Sequence, residues 1–220
     1  MRTVLTSLAL GLTLFATGCP HGPPIDIVGP PAYDESGVPS TPFYEELANR
    51  TSEMAAEGVI PSDPHEAYVL AMQEIEDNGI RILPKAEGIE QWEKFTTTFP
   101  TKIFVAKDWD EMSEATQAEI LWHEIVHVRE YDAHTPLKMG LMYVVAEGRW
   151  ALEVQAYRES YRVKRLFGAS EETIRGFMRP RAESLYTSYE LGAMPKEYAI
   201  EKAIEIWMLD SPDATGTANP

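Results

Sequence analysis

Two histidines and a glutamate stand in an otherwise apolar stretch of this 220-residue chain. From Ile120 to Val128 the sequence reads Ile-Leu-Trp-His-Glu-Ile-Val-His-Val. On an α-helix, residues four apart share a face, so His123 and His127 can bind one ion while Glu124 lies beside them. Zinc held by three protein groups keeps an open position for water and lowers its pKa to about 7. The spacing therefore predicts metal-assisted hydrolysis.

The apolar neighbours of the motif favour this interpretation. A helix that is apolar on nearly all sides is buried, and burying polar side chains without partners costs roughly 1–3 kcal/mol for each group. A divalent cation that binds both imidazoles removes this cost. The alternative is a helix with one core histidine and a surface His-Glu pair, because so short a pattern also arises by chance.

The segment before the motif has the pattern of a strand that leads into a long helix. Residues 102–106, Lys-Ile-Phe-Val-Ala, predict a short buried strand, and a polar turn precedes a helix start near Ser113 or Thr116. A strand followed by a helix with His-Glu-x-x-His resembles the zincins, a superfamily of zinc-dependent peptidases. The resemblance implies a mostly helical α+β fold in which a small sheet packs on the motif helix.

A third protein ligand is expected after the motif. The metzincin pattern requires a glycine and a histidine three and six residues after the second histidine, but Glu130 and Ala133 occupy these positions. His134 is one position too far. The gluzincin pattern instead takes a glutamate from the next helix, for which the chain offers Glu147 and Glu153.

Glu153 is the favoured third ligand. Glu147 follows His127 by a separation similar to that in thermolysin-like enzymes, but Ala151 stands where those enzymes carry an aspartate. Glu153 lies in Leu-Glu-Val-Gln-Ala-Tyr, which resembles the Glu-x-x-Ala-Asp motif of membrane-linked gluzincins. The chain is more similar still to small bacterial proteins that pair His-Glu-Leu-x-His-Val-Arg-Gln with Glu-x-Glu-Ala-Tyr. The alternatives are Glu147 as the ligand, or a salt bridge between Glu153 and Arg149.

Tyr157 departs from the gluzincin pattern. Many gluzincins have an aspartate there that orients a zinc-bound histidine, so this support must come from elsewhere or from the Tyr157 hydroxyl. A peptidase also needs a hydrogen-bond donor for the developing oxyanion. The sequence singles out none of the candidates, which are Tyr131, His134, Tyr157, Tyr186 and Tyr189.

The N-terminus has the pattern of an export signal. After a short basic start, residues 4–16 are apolar and uncharged, and they end in Ala-Thr-Gly-Cys with the only cysteine of the chain. This segment is too short to span a bilayer and fits a secretory signal. It resembles a bacterial lipobox, which implies cleavage before Cys19, acylation of Cys19 and, because Pro20 follows, an outer-membrane destination. The alternative is an ordinary signal peptide with an incidental cysteine.

The composition predicts one folded domain behind a tether. Residues 1–18 form the predicted signal, and residues 19–42 hold the lipidated cysteine and a proline-rich tether. Residues 43–210 are long enough for one hydrophobic core without disulfides, and residues 211–220 are predicted as a flexible tail.

The expected elements within this domain are mostly helices. They are predicted at residues 44–57, at 64–76 with Asp63 as the cap, from the motif to residue 131, at 141–167 ending at Gly168, and at 196–209. A further helix begins at Ser170 and is predicted to be interrupted by Pro180. Strands are predicted at 80–83 and 103–106, and residues 89–95 have no clear pattern.

The net charge of −16 disfavours nucleic acid and anionic lipid headgroups as partners. The sequence thus predicts a lipid-anchored, periplasm-facing peptidase that acts on a peptide or protein of the bacterial envelope. One Zn²⁺ is held by His123, His127 and Glu153, while Glu124 acts as general base and then as acid to the leaving amine. The rival hypothesis is a non-catalytic zincin-like lipoprotein that serves as a binding or assembly module.

Overall fold

The computed structural model describes residues 60–85, 96–99, 102–133, 142–143, 145–191 and 194–211. The predicted signal, the tether with Cys19, the predicted helix at 44–57, residues 89–95 and His134 lie outside the described residues. Within them the protein is mostly helical with one small sheet, as the sequence predicts.

Helix α1, Pro64–Asp77, begins where the sequence predicts. The Asp63 carboxylate caps it by accepting a hydrogen bond of 3.0 Å from the backbone N–H of Glu66, and proline suits the first helical position because its missing N–H would have no partner there. Ala67, Ala71 and Ile75 recur every four residues and form the buried face of α1.

The sheet has three strands in the order β1-β3-β2. β1, Arg81–Pro84, runs parallel to β3, Lys102–Val105, and both were predicted to within one residue. β2, Thr97–Phe99, pairs antiparallel with β3 and places Thr98 opposite Ile103. The strand at residues 97–99 was not predicted from the sequence, because three residues are too few for a periodic pattern to be recognised.

Helix α2, Glu114–Ala133, carries the His-Glu-x-x-His motif and follows a short 3₁₀ helix at Trp109–Glu111. Ser113 caps it, since the backbone N–H of Thr116 donates to the Ser113 hydroxyl over 3.3 Å. Residues 124–128 are all buried, which agrees with the apolar sequence around the motif. The helix packs between α1 on one side and the next helix on the other.

Two side chains of α2 fix its position on α1. The Trp122 indole N–H donates to the carbonyl of Ala67 over 3.1 Å. The Arg129 guanidinium donates to both carboxylate oxygens of Glu74, over 2.8 and 3.0 Å. Such a two-point contact restricts rotation of α2 about its axis. It therefore helps to hold the face that carries both motif histidines.

Helix α3, Ala146–Leu166, joins two hydrophobic cores. Its Val163 packs with α1, α2 and the sheet, whereas its Trp150 and Val154 pack with the two C-terminal helices. The helix ends as predicted at Gly168, whose φ of +83° lets its N–H reach the carbonyl of Arg165 over 3.0 Å. Burial on both sides makes α3 a rigid support for Glu153.

Helices α4, Glu171–Ser188, and α5, Lys196–Met208, complete the second core. The prediction that Pro180 interrupts α4 is wrong, because the helix is continuous through it. Proline removes the hydrogen bond to the carbonyl four residues earlier, here that of Gly176. Gly176 and Pro180 are both exposed, so water can solvate this carbonyl and the helix tolerates the loss.

Gly148 near the start of α3 has no space for a side chain. A Cβ atom there would overlap the backbone carbonyl oxygen of Met142, and its distance to the Met142 Cα would be 2.7 Å. We expect Gly148→Ala to lower the free energy of unfolding by roughly 1–3 kcal/mol in urea denaturation. Gly176→Ala is the matched control, because nothing lies within 4 Å of its added methyl group. An unchanged midpoint for Gly148→Ala would contradict this packing.

No helix in the described ranges is long and apolar enough to cross a bilayer.

Candidate metal centre

Two helices bring three metal-ligating side chains together. Helix α2 presents His123 and His127 on one face, and α3 presents Glu153 opposite them. His123 Nε2 lies 3.5 Å from one carboxylate oxygen of Glu153, and His127 Nε2 lies 3.7 Å from the other. One potential ligand atom from each residue lies within 4.8 Å of the other two. Glu147, six residues before Glu153 on α3, is not part of this group.

The separations within this group fit a zinc ion. Zinc–ligand bonds of about 2.0–2.1 Å in a tetrahedral site place neighbouring ligand atoms roughly 3.3 Å apart. Both histidine–glutamate separations are within half an ångström of that value. Two imidazoles and one carboxylate also form a ligand set that catalytic zinc uses, with the fourth position left for water. The residues present therefore fit the ion that the sequence predicts.

The three side chains also influence each other's protonation. Burial raises the pKa of Glu153. The hydrogen bond with His123 and the charge of His127 outweigh this effect and lower the pKa to about 2. Burial lowers the pKa of His123, and the hydrogen bond with Glu153 and the charge of Glu124 more than reverse this, so the net shift is upward. Glu153 is thus ionised at neutral pH. A cation that binds His123 competes with protons for the same imidazole nitrogen.

Many gluzincins have an aspartate at the position of Tyr157 that orients a zinc-bound histidine. In this protein Ser160 forms the polar contact that supports His123. The Nδ1 atom of His123 lies 3.2 Å from the Ser160 hydroxyl oxygen, and Ser160 is buried on α3 two turns after Glu153. If Nδ1 carries the proton and donates to Ser160, Nε2 is left free to bind a metal. The Tyr157 ring instead packs edge-on against the imidazole, with 4.7 Å between ring centroids.

His127 has a different environment. Its side chain is buried, and its Nδ1 atom has no hydrogen-bond partner within the part of the chain that the structure describes. Its ring lies edge-on to that of His123, with 5.1 Å between the centroids. Within the described residues, His123 is therefore held by both a hydrogen bond and ring packing, whereas His127 is held by ring packing and by its contact with Glu153.

Glu124 points to the sheet side of α2. It is buried, and its carboxylate accepts a hydrogen bond of 2.6 Å from the hydroxyl of Thr98 on β2. Burial lowers the pKa of Lys85, just after β1, and the charge of Glu124 partly opposes this shift. Neither Thr98 nor Lys85 was predicted from the sequence. The β-branched run at residues 96–98 was the available signal for Thr98.

The five tyrosine and histidine candidates for an oxyanion donor fall in different places. The Tyr189 hydroxyl faces Glu153 within hydrogen-bonding reach, and Tyr157 packs on His123. Tyr186 donates to the carbonyl of Met194 over 3.3 Å. Tyr131 stacks on another tyrosine, with 5.7 Å between centroids, and His134 lies outside the described residues.

That other tyrosine, Tyr143, was not among the candidates from the sequence. Burial raises its pKa, and the phenol of Tyr131 and the charges of Glu153 and Glu124 raise it further. Tyr143 is therefore protonated at neutral pH, and the charges of both carboxylates of the site act on it. Because the chain contains ten tyrosines, nothing in the sequence distinguishes this one.

The contact between Ser160 and His123 leads to a test of the support for the metal ligand. We expect Ser160→Ala to weaken zinc affinity about 10–100-fold, because the imidazole loses the group that fixes its tautomer and orientation. Ser160→Thr, which keeps a hydroxyl, should retain most of the affinity. The measurement is competition for zinc against a chromophoric chelator, with circular dichroism to verify folding. Equal affinity of the alanine variant and the unsubstituted chain would exclude this role.

No family model matches the chain, and no significant match is found among curated proteins or solved structures. The function therefore has to be inferred from the side chains of the site.

Proposed function

We propose that this protein is a zinc-dependent peptidase of the gluzincin type, with His123, His127 and Glu153 as metal ligands and Glu124 as the general base. One observation carries the proposal. Both histidines of His-Glu-x-x-His meet a single carboxylate from the next long helix, with all three ligand atoms within 4.8 Å. This is the ligand set to which the sequence resemblance points.

The residues around the ion would have different roles in hydrolysis. A bound zinc ion would polarise the substrate carbonyl and lower the pKa of water at the site. The Thr98 hydroxyl holds one oxygen of Glu124 and leaves the other oxygen able to accept a proton. Glu124 can then transfer that proton to the amine of the leaving peptide. Ser160 keeps the His123 imidazole oriented during this exchange.

Tyr143 is the residue that we assign to oxyanion stabilisation. Burial raises its pKa and the charges of Glu153 and Glu124 add to this shift, so its phenol stays protonated at neutral pH. A protonated phenol can donate a hydrogen bond to an oxygen on which charge develops. The ring of Tyr131 stacks on that of Tyr143 and supports it.

The N-terminal sequence supports a location for this activity. A basic start, an apolar segment and Ala-Thr-Gly-Cys resemble a lipoprotein signal, so the proposal places the enzyme on the outer membrane, facing the periplasm and anchored through Cys19. Its substrates would then be peptides or proteins of the envelope. The negative net charge would act against association through anionic headgroups, so the lipid would supply the attachment.

A non-catalytic binding module is the second candidate. Two observations favour it, namely the tyrosine at position 157 in place of the usual aspartate and the unpartnered Nδ1 atom of His127 within the described residues. A metal site with incomplete support can keep a structural role after turnover is lost. This candidate has the same ligands and differs only in the absence of hydrolysis.

A peptide library distinguishes the two candidates. The zinc-loaded full chain is incubated with a random peptide pool, and new termini are identified by mass spectrometry. The peptidase proposal expects cleavage that a chelator abolishes and added zinc restores. An intact pool together with stoichiometric zinc would favour the binding module. An intact pool and a chain that retains no zinc would exclude both the peptidase and a module that binds zinc.

A further inference from the structure

An arginine lies beside the proposed metal centre and has no carboxylate partner among the described residues. Arg181 is an exposed residue of α4, and its guanidinium carbon lies 4.7 Å from the centroid of the Tyr157 ring. Tyr157 in turn packs against His123, with 4.7 Å between centroids. Together these two distances place the guanidinium carbon at most about 9.4 Å from the centre of the His123 ring. Arg181 therefore lies on the solvent-facing side of the Tyr157 ring, which packs against the proposed metal ligand His123.

The absence of a partner is informative because this chain is rich in acid, with 35 Asp and Glu against 19 Lys and Arg. Most arginines of the described residues are held by carboxylates, namely Arg129 by Glu74, Arg158 by Asp210, Arg162 by Glu159, Arg165 by Glu171, and Arg179 by Glu197. Arg181, only two residues after Arg179 on α4, has no hydrogen bond or ion pair with any described residue. Its contact is the face of Tyr157.

Stacking on an aromatic ring prepares a guanidinium to bind an anion. The ring occupies one face of the planar group and leaves the N–H donors at its edge free to form a bidentate pair with a carboxylate. The stacked side chain is also held in place before the ligand arrives, so less conformational entropy is lost on binding.

We propose that Arg181 selects substrates that carry a carboxylate near the scissile bond, and this inference rests on the proposed peptidase function. An extended peptide advances about 3.3–3.6 Å per residue, so a carboxylate one to three residues from the scissile carbonyl can span the distance to the guanidinium. Because the negative charge of the protein repels acidic peptides at long range, a local cation is needed to favour them. The carboxylate is either an Asp or Glu side chain or the free C-terminus of the substrate.

The test measures binding as well as cleavage. Hexapeptide pools are prepared in matched pairs that differ only in glutamate or glutamine at one position, or in a free or amidated C-terminus. Their affinity for the zinc-loaded full chain with the substitution Glu124→Gln is measured by calorimetry, with and without Arg181→Gln. Cleavage of the same pools is measured with Glu124 intact. The control is Arg179→Gln, which removes the same charge from the same helix but leaves the Tyr157 contact in place.

We expect the carboxylate peptides to bind about tenfold more tightly than their neutral counterparts, and Arg181→Gln to abolish this difference while leaving neutral peptides unchanged. Arg179→Gln should retain the preference. The glutamate and glutamine pairs and the free and amidated pairs show whether Arg181 binds a side-chain carboxylate or the C-terminal carboxylate. A preference that depends on Arg181 without any cleavage would support this inference and refute the peptidase. Equal affinity within every pair, no measurable binding, or an equal loss for all peptides in Arg181→Gln would overturn it.

Discussion

The substitution Glu124→Gln is expected to lower kcat/KM for peptide cleavage by at least about 10²–10⁴-fold while zinc remains bound. Glutamine has nearly the same shape and can still accept the hydrogen bond from Thr98, which in the unsubstituted protein measures 2.6 Å. It cannot accept a proton at neutral pH, so the step that activates water fails. Because Glu124 is not one of the three ligands that meet, the metal should stay at one ion per chain.

The matched control for this variant is Glu119→Gln. Glu119 lies on the same helix and pairs with Lys164 across 2.5 Å, so its substitution removes the same charge and leaves every motif residue unsubstituted. Its activity should stay within a few-fold of the unsubstituted chain, because a partly exposed ion pair contributes little. Undiminished cleavage in Glu124→Gln would show that Glu124 is not the base. Loss of zinc from this variant would instead assign Glu124 a role in holding the ion.

The substitution Glu153→Gln is expected to weaken zinc affinity at least about a hundredfold. Glu153 provides the anionic ligand, since its pKa is lowered to about 2 by His123 and His127 despite its burial. An amide oxygen in its place carries no charge to offset that of the cation, and the two imidazoles alone cannot complete the site. Competition with a chromophoric chelator measures the affinity, and circular dichroism verifies that the helices persist.

Glu147→Gln is the control that tests the alternative ligand from the sequence. Glu147 lies on the same helix, but it does not belong to the group formed by His123, His127 and Glu153. Its variant should bind zinc like the unsubstituted chain. The reverse result, with zinc lost in Glu147→Gln and retained in Glu153→Gln, would favour a thermolysin-like ligand set and contradict the arrangement described above.

Local sequence signals predicted the helices that carry the site. Asp63, Ser113 and Ser170 each cap a helix where they were expected, and Gly168 ends α3 with the positive φ that suits glycine. These signals involve residues within one turn of each other, so they can be recognised without knowledge of the fold. The spacing of His123 and His127 is equally local, which is why one face of α2 could be predicted from the sequence.

The remaining parts of the site depend on packing between distant segments. Thr98 reaches Glu124 from a three-residue strand, and Ser160 reaches His123 only because α3 packs against α2. Ser160 has no sequence pattern that distinguishes it from other serines, and the β-branched run at residues 96–98 does not indicate that Thr98 meets Glu124. The prediction at Pro180 was wrong for a related reason. The Gly176 carbonyl, which Pro180 leaves without its helical hydrogen bond, is exposed because of the position of α4 on the protein surface.

The central claim is that one zinc ion is bound by His123, His127 and Glu153, and X-ray absorption at the zinc edge of the full chain, purified without chelators, tests it most directly. The expected result is one zinc per chain, with two imidazole nitrogens and carboxylate oxygen at about 2.0–2.2 Å in the first coordination shell. The spectrum of His127→Ala should lose one imidazole or the metal itself. Substoichiometric zinc, or a first shell that lacks the imidazole pair, would contradict the claim.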